Sequence, residues 1–314
     1  MKLLKPKKLS KGDVIGIISP ASTPNDLTRI QKGVKYLESL GYRTEVGKNV
    51  GKYYGYLAGR DEERIEDIHY MFGKREIRAI FCLRGGYGTP RLLDKLDYNL
   101  IKKHPKIFVG YSDITALQMA FFKKARLVSF AGPMVAVDFH SEERSKYTEE
   151  LFWRLVTSDK KGGHIEFPNN EKLEVIRKGS AKGKILGGNL ALLTSMMGTE
   201  YFPDLKDKVL MLEDTGEAPY RLDRMLNQLK LAGILKNANG VMLGAFTECV
   251  EKDPETKTLT LGEIIEHYFC NLKAPIVYNF QHGHIKDNIT IPWGIEVHFN
   301  ALKNTLEYLE SAVV

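Results

Sequence analysis

The chain has 314 residues, 43% hydrophobic and 27% charged, which excludes a disordered protein and leaves room for two domains of ordinary size. The formal net charge is +7, but the basic residues are scattered and not interleaved with aromatics, so we expect a solvated basic surface and no nucleic-acid partner. No window reaches the roughly 18 apolar residues of a membrane span, and no apolar segment follows the basic N-terminus, so we expect a cytoplasmic protein without a membrane partner.

The first half of the chain alternates short apolar segments with helical patterns. Strands are predicted at residues 13–19, 42–46, 79–83 and 107–110, and helices at 27–40, 61–72 and beyond 112. The segment 79–83 is continuously apolar, as in strands buried on both faces of a parallel sheet. This alternation predicts a doubly wound, flavodoxin-like α/β domain, with functional loops at the carboxyl ends of its strands.

In the second half of the chain, predicted strands and helices alternate less regularly than in the first. Residues 158–182 are polar and rich in charge, which predicts the linker between an N-terminal domain over 1–165 and a C-terminal domain over 166–314. Strands are predicted at 209–212, 240–246 and 276–279, and an amphipathic helix at 219–231. We therefore expect the C-terminal domain to be a smaller, mixed α/β unit.

Ser112 lies where an apolar strand stops at Gly110 and a helical pattern begins. A sharp strand-to-helix turn exposes the serine oxygen and directs backbone N–H groups toward whatever that oxygen attacks, which suits a nucleophile. The alternative is an N-cap serine, because Ser is common at helix starts.

Carboxylates and histidines downstream could complete a catalytic triad. A predicted strand ends at Glu213 and Asp214, and a glycine-containing loop carries His282 and His284. A nucleophile, an acid that orients an imidazole, and the imidazole that takes the proton are the three parts of a hydrolase triad. Asp214 and Glu217 are rivals to Glu213 for the acid role.

The pair His282 and His284 also fits an H-x-H metal site. A zinc site would need at least a third ligand and supporting groups around it, and neither an H-E-x-x-H motif nor a cysteine cluster supplies them. We therefore expect no metal and no cofactor.

The loop at residues 84–88, Arg-Gly-Gly-Tyr-Gly, is rich in glycine. It lacks the Gly-Lys-Ser/Thr end of a phosphate-binding P-loop and the spacing of a dinucleotide site. Its glycines would instead let backbone N–H groups approach a substrate carbonyl, while also permitting a tight turn with positive φ. We expect Arg84 and Tyr87 of this loop to contact the substrate.

Five sequence motifs follow one another along the chain, at residues 80–88, 108–117, 183–190, 212–224 and 283–294. Together they resemble the block series of the LD-carboxypeptidase family, which includes muramoyl-tetrapeptide carboxypeptidases and microcin C immunity hydrolases. The resemblance implies Ser112 as nucleophile, Glu213 as acid and His284 as base. It also implies an oxyanion hole formed by the N–H groups of Gly86 and Asp113. The chain differs from the family pattern at His282, a second histidine, and at Trp293, where a smaller apolar residue is expected.

The function that the resemblance implies is a serine LD-carboxypeptidase that releases the terminal D-alanine of murein tetrapeptides during cell-wall recycling. The resemblance further implies a homodimer whose substrate is a small peptide. One alternative is a microcin C-type immunity hydrolase that acts on peptidyl or aminoacyl adenylate analogues. Another is a non-catalytic module that binds a small ligand.

Overall fold

The computed structural model describes residues 3–165, 173–253 and 255–314, which form two β-sheets flanked by helices. The first sheet is built mainly by the first half of the chain and the second by the rest. No helix in these described ranges is long and apolar enough to cross a membrane.

The first sheet has the strand order expected of a flavodoxin-like domain. Its parallel strands are β1 (Val14–Ile18), β2 (Arg43–Val46), β3 (Ile77–Cys82), β4 (Ile107–Val109) and β5 (Phe130–Ala131), in the order β2-β1-β3-β4-β5. The central strands β1 and β4 are fully buried, because helices cover both faces of the sheet. The predicted doubly wound fold is confirmed.

Helices follow the strands as the apolar spacing predicts. They are α1 (Thr28–Ser39), α2 (Asp61–Gly73), α3 (Tyr98–Lys103), α4 (Thr115–Ala125) and α5 (Lys146–Thr157), with 3₁₀ turns at Thr89–Lys95 and Ser112–Ile114. Ile30, Val34 and Leu37 form the buried stripe of α1. Three acidic residues occupy the first turn of α2, where they complement the helix dipole.

The second sheet is mixed and has eight strands within the described residues. They are β6 (Gly163–Ile165), β7 (Glu174–Arg177), β8 (Ser180–Asn189), β9 (Val209–Thr215), β10 (Gly240–Thr247), β11 (Ile276–Tyr278), β13 (Glu296–Asn300) and β14 (Thr305–Tyr308). The order is β6-β14-β13-β8-β9-β10-β11-β7. Strands β8 to β11 are parallel, and the others pair antiparallel. The helices of this half are α6 (Leu190–Met196), α7 (Pro219–Leu231) and α8 (Leu261–Phe269).

Part of the predicted linker is strand. Residues 158–182 contribute β6, β7 and the start of β8, whereas residues 166–172 lie outside the described residues. Strand β7 lies at the edge of the sheet and is largely exposed, so polar side chains are tolerated there and hide the strand pattern. The domain division at 165/166 stays a prediction.

The two halves of the chain interlock at several points. The short strand β12 (Ile291–Pro292) comes from the second half but pairs antiparallel with β5 of the first sheet. The start of α4 packs against the end of β8, where a Cβ on Gly188 would lie 2.7 Å from the Thr115 side chain. Because of these contacts, the loop before β12, which carries His284, lies against the first domain.

Candidate active site

Ser112 occupies a strained turn directly after β4. Its φ of 64° lies in the left-handed region, which a residue with a side chain adopts at a cost. The Ser112 Oγ makes no hydrogen bond to any of the described residues, and no side chain caps the 3₁₀ turn or α4. The N-cap alternative is therefore wrong, and the serine oxygen is free for chemistry.

A buried hydrogen-bond network connects α4 to the ends of β4 and β5, next to the Ser112 turn. The Gln118 amide donates to the backbone oxygens of Gly110 (2.9 Å) and Phe130 (2.8 Å). The Trp293 Nε1 donates to the Gln118 Oε1 at 3.0 Å. Trp293, the large residue at a position where a smaller one was expected, is fully buried and connects β12 to the ends of β4 and β5.

The glycine-rich loop lies directly against Ser112. A Cβ on Gly85 would be 2.8 Å from the Ser112 Cβ and 2.9 Å from its Oγ. Gly86 has a φ of 120°, and its N–H donates to no acceptor among the described residues; the Asp113 N–H donates to none outside its own 3₁₀ turn. Two backbone donors near the serine are thus left without an acceptor in the described residues, which suits an oxyanion hole.

The Asp113 side chain joins the loop to the Ser112 turn. Its carboxylate accepts hydrogen bonds from the Gly88 N–H (3.2 Å) and the Thr89 N–H (2.9 Å). The Thr89 hydroxyl donates in return to the Asp113 backbone oxygen. Burial raises the pKa of Asp113 despite these donors. The Asp113 carboxylate is therefore occupied in holding the loop, and its backbone N–H stays available to the site.

Gly85→Ala is expected to reduce kcat/KM by about 10²-fold or more, because a methyl group would displace the serine and a shift near 1 Å can have that effect. The measurement is steady-state kinetics together with thermal unfolding. Gly262→Ala, at a helical glycine whose added Cβ would meet its nearest neighbour, the Thr260 Oγ1, at 4.0 Å, is the matched control and should retain activity. A fully active Gly85→Ala enzyme would contradict the close approach of this loop to the nucleophile.

Glu213 and His284 form a direct pair. The His284 Nδ1 lies 2.8 Å from the Glu213 Oε2, and the Glu213 side chain is only 1% exposed. Two glycines make room for this contact. A Cβ on Gly283 would lie 3.1 Å from the Glu213 Oε2, and one on Gly244 would lie 3.3 Å from the Glu213 Cβ.

The His284 ring also contacts the first domain beside Ser112. Its centroid lies 5.3 Å from that of Tyr111, in an edge-to-face arrangement. Tyr111 immediately precedes Ser112, so the imidazole is held next to the serine turn while its Nδ1 faces Glu213. The three predicted triad residues are therefore brought to one region, across the boundary between the two sheets.

Neighbouring carboxylates shift the acid–base equilibrium of His284. Burial lowers the pKa of the imidazole, but the hydrogen bond and charge of Glu213, with smaller contributions from Asp214 and Asp138, outweigh burial and raise it above its ordinary value. The ordinary pKa of histidine is about 6.5, so protonated His284 persists closer to neutral pH than a free imidazole.

Glu213→Gln should lower kcat by about 10⁴-fold, because an amide can hold the wrong imidazole tautomer. The rising part of the pH–rate profile should also move to lower pH. Neutral His284 is the active base, and loss of the Glu213 charge removes the main interaction that raises its pKa. The measurement is kcat/KM across pH, with the exposed Glu200→Gln as control. A profile with unchanged height and midpoint would remove Glu213 from the acid role.

The rival acids have other partners. The Asp214 carboxylate accepts from the Asn189 Nδ2 (2.9 Å) and from the backbone N–H groups of Ala191 (3.0 Å) and Thr215 (2.8 Å). Burial and the charge of Glu213 raise the pKa of Asp214 to about 7. Glu217 forms an ion pair with Arg221 at 3.6 Å. Neither side chain is hydrogen-bonded to His284.

His282 is a buried structural residue. Its ring is 1% exposed, its Nδ1 lies 2.7 Å from the Ile289 backbone oxygen, and it packs edge-on against Trp293. Burial lowers its pKa. The rings of His282 and His284 therefore have separate partners, and no group of three or more potential metal ligands occurs in the described part of the chain.

Asp138 belongs to the site but was not predicted from the sequence. It interacts with the Tyr111 hydroxyl and with the charge of His284, and burial raises its pKa to about 6. Its carboxylate accepts from the Met134 N–H at 2.7 Å. The position follows β5, so the carboxyl-end rule for parallel sheets would have indicated it once β5 was recognised.

The remaining predicted residues line the approach to Ser112. Tyr87 is 56% exposed, and its ring lies edge-on to Tyr56 at 5.1 Å. Arg84 is half-buried and lines a cavity of about 290 Å³. A larger cavity of about 490 Å³ opens beside His284, Tyr111 and Asp138. Space for a ligand is thus present next to His284 and next to Arg84.

Family models match both halves of the chain. Residues 15–132 match the LD-carboxypeptidase N-terminal domain, and residues 182–299 match the LD-carboxypeptidase C-terminal domain. A probable murein peptide carboxypeptidase of Bacillus subtilis (strain 168) is 40% identical over 304 residues, covering 96% of this chain and 93% of that protein.

Two solved structures share the whole fold. The crystal structure of muramoyltetrapeptide carboxypeptidase from Oxalobacter formigenes has a TM-score of 0.82 and 31% identity, covering 94% of this chain and 97% of that one. The microcin C7 self-immunity protein MccF, known from Escherichia coli, has a TM-score of 0.90 and 25% identity in its wild-type apo state, covering 99% and 100%. The chain belongs to the LD-carboxypeptidase family and is a serine carboxypeptidase, which excludes the non-catalytic alternative.

Proposed function

We propose that the protein hydrolyses the amide bond before the terminal D-alanine of murein tetrapeptides, with Ser112, His284 and Glu213 as a catalytic triad. The observation that carries this proposal is the Glu213–His284 hydrogen bond of 2.8 Å, held beside a strained serine whose oxygen has no partner among the described residues. A nucleophile, a base and an orienting acid are the parts that serine hydrolases require.

In the proposed mechanism, His284 donates its Nδ1–H to Glu213, which leaves Nε2 free to accept a proton. As the Ser112 Oγ attacks the carbonyl carbon, its proton passes to Nε2 and a tetrahedral intermediate forms. The N–H groups of Gly86 and Asp113 would stabilise the developing oxyanion. His284 then protonates the leaving amine, and a water molecule activated by the same imidazole hydrolyses the acyl-enzyme.

The substrate class is proposed from the relatives. The B. subtilis relative is named a probable murein peptide carboxypeptidase, and a murein tetrapeptide carboxypeptidase of Pseudomonas aeruginosa is 31% identical over 290 residues. The similarity to MccF supports a second candidate, a hydrolase of peptidyl or aminoacyl adenylate analogues. Both candidates use the same triad, so they differ in the groups bound on either side of the scissile bond.

The test compares two substrates with one enzyme preparation. We expect release of D-alanine from a tetrapeptide that ends in D-alanine, with a kcat/KM well above that for an aminoacyl sulfamoyl adenosine. Mass spectrometry of the products identifies the bond that is cleaved. Turnover of the nucleotide compound alone would favour the microcin-type activity and reject the murein peptide.

Two further properties are proposed together with this function. A role in recycling cell-wall peptides fits a cytoplasmic enzyme, and fractionation of cells that express the tagged protein tests that location. We also propose a homodimer. Light scattering of the purified protein measures its molar mass, and a monomeric mass at assay concentration would reject the dimer.

A further inference from the structure

Two cavities lie near the Ser112 turn. The larger, of about 490 Å³, is lined by Tyr111, Asp138 and His284. The smaller, of about 290 Å³, is lined by Pro24, Asn25, Asp26, Arg29, Arg84, Ala136 and Val137. Val137 lines both cavities, so they lie on either side of one short segment. The larger cavity includes Tyr111, which precedes Ser112, and the smaller includes Arg84, which precedes the Gly85 that contacts Ser112. A peptide held at Ser112 could therefore extend one end into each cavity.

The smaller cavity carries an uncompensated positive charge. Two guanidinium groups, those of Arg29 and Arg84, line it with a single carboxylate, that of Asp26. The Asp26 Oδ2 lies 3.9 Å from the Arg29 Nε, and the Asp26 Oδ1 accepts from the Thr28 backbone and hydroxyl. Arg84 forms no hydrogen bond or ion pair with the described residues, although it is half-buried. A guanidinium in this position is well suited to an anionic ligand.

Arg84 is also fixed next to the reacting serine. It immediately precedes Gly85, the residue whose missing side chain allows contact with Ser112. The N–H groups of Leu83 and Ala136 donate to the Ile18 and Leu83 backbone oxygens at 2.9 Å, which hold the base of the loop in the sheet. The guanidinium therefore extends from a backbone whose position is tied to that of the nucleophile.

We infer that the Arg84 cavity binds the terminal carboxylate of the residue that is released. This inference rests on the proposed carboxypeptidase reaction at Ser112 and assigns one side of that site. A carboxypeptidase must distinguish a chain end from an internal peptide bond, and a free guanidinium can do so by pairing with the terminal carboxylate. Ala136 and Val137 supply an apolar wall for a small side chain such as the methyl group of alanine. The larger cavity then takes the acyl part of the peptide.

The test uses two substrates that differ only at the chain end, the D-alanine-terminated tetrapeptide and its C-terminal amide. For the wild-type enzyme, kcat/KM should be about 10- to 100-fold higher for the free acid, as expected for a charge-assisted contact. In Arg84→Gln, the value for the free acid should fall by a similar factor while the value for the amide changes little. Arg84→Lys should recover part of the preference, because it keeps the charge but not the bidentate geometry.

The amide substrate distinguishes loss of recognition from damage to the site. Equal losses for both substrates in Arg84→Gln, or a wild-type preference that the variant retains, would overturn the inference. Arg177→Gln removes one charge from an exposed edge strand and controls for net charge. If the wild-type enzyme releases no D-alanine from the tetrapeptide, the proposed function fails instead, and the two failures are therefore separate.

Discussion

Ser112→Ala is expected to reduce kcat by about 10⁶-fold, which is the scale observed when a serine nucleophile is removed and only oxyanion donors and binding remain. The fold should be retained, because the Ser112 Oγ makes no hydrogen bond to the described residues and the Cβ stays in place. The measurement is single-turnover and steady-state release of D-alanine, with thermal unfolding of both proteins. A variant with near wild-type rates would show that another group attacks the carbonyl.

The backbone conformation of Ser112 also supports its role as the nucleophile. A φ of 64° is strained for serine, and strain of this kind persists where function requires it. Ser195→Ala is a suitable control, since this exposed helical serine only donates to the Leu192 backbone oxygen. It should keep both its rate and its stability.

His284→Ala should lower kcat by about 10⁴-fold or more, because it removes the imidazole that is hydrogen-bonded to Glu213. His282→Ala should have a much smaller effect on kcat in the protein that remains folded. It should instead lower the free energy of unfolding by about 2–4 kcal/mol, since it deletes a buried ring and its hydrogen bond. Kinetics and denaturant unfolding of both variants make the comparison.

The two histidine variants separate catalysis from metal binding. Equal and severe loss of kcat in both, with metal found by elemental analysis, would favour the H-x-H site. The expected pattern is instead a large loss of kcat in His284→Ala and a loss mainly of stability in His282→Ala. The different burial of the two rings is the physical reason for this contrast.

Much of the first domain could be predicted from the sequence, because parallel strands buried on both faces appear as continuous apolar runs. Strands β1, β3 and β4 were predicted within a few residues of their observed limits. The edge strand β7 and the start of β8 were assigned to a linker. Both segments are largely exposed and carry charged residues among the apolar ones, so their strand character becomes clear only from their pairing with other strands.

The sequence alone determined the family, the fold class and the candidate residues, because the blocks around Ser112, Glu213 and His284 lie within continuous segments of chain. The tertiary structure decided which acid and which histidine are paired. Successive residues of a strand face opposite sides, so Glu213 faces His284 while Asp214 faces the start of α6. The family resemblance implies this pair, but its physical basis is not local, since the partner of Glu213 comes from a loop 71 residues away.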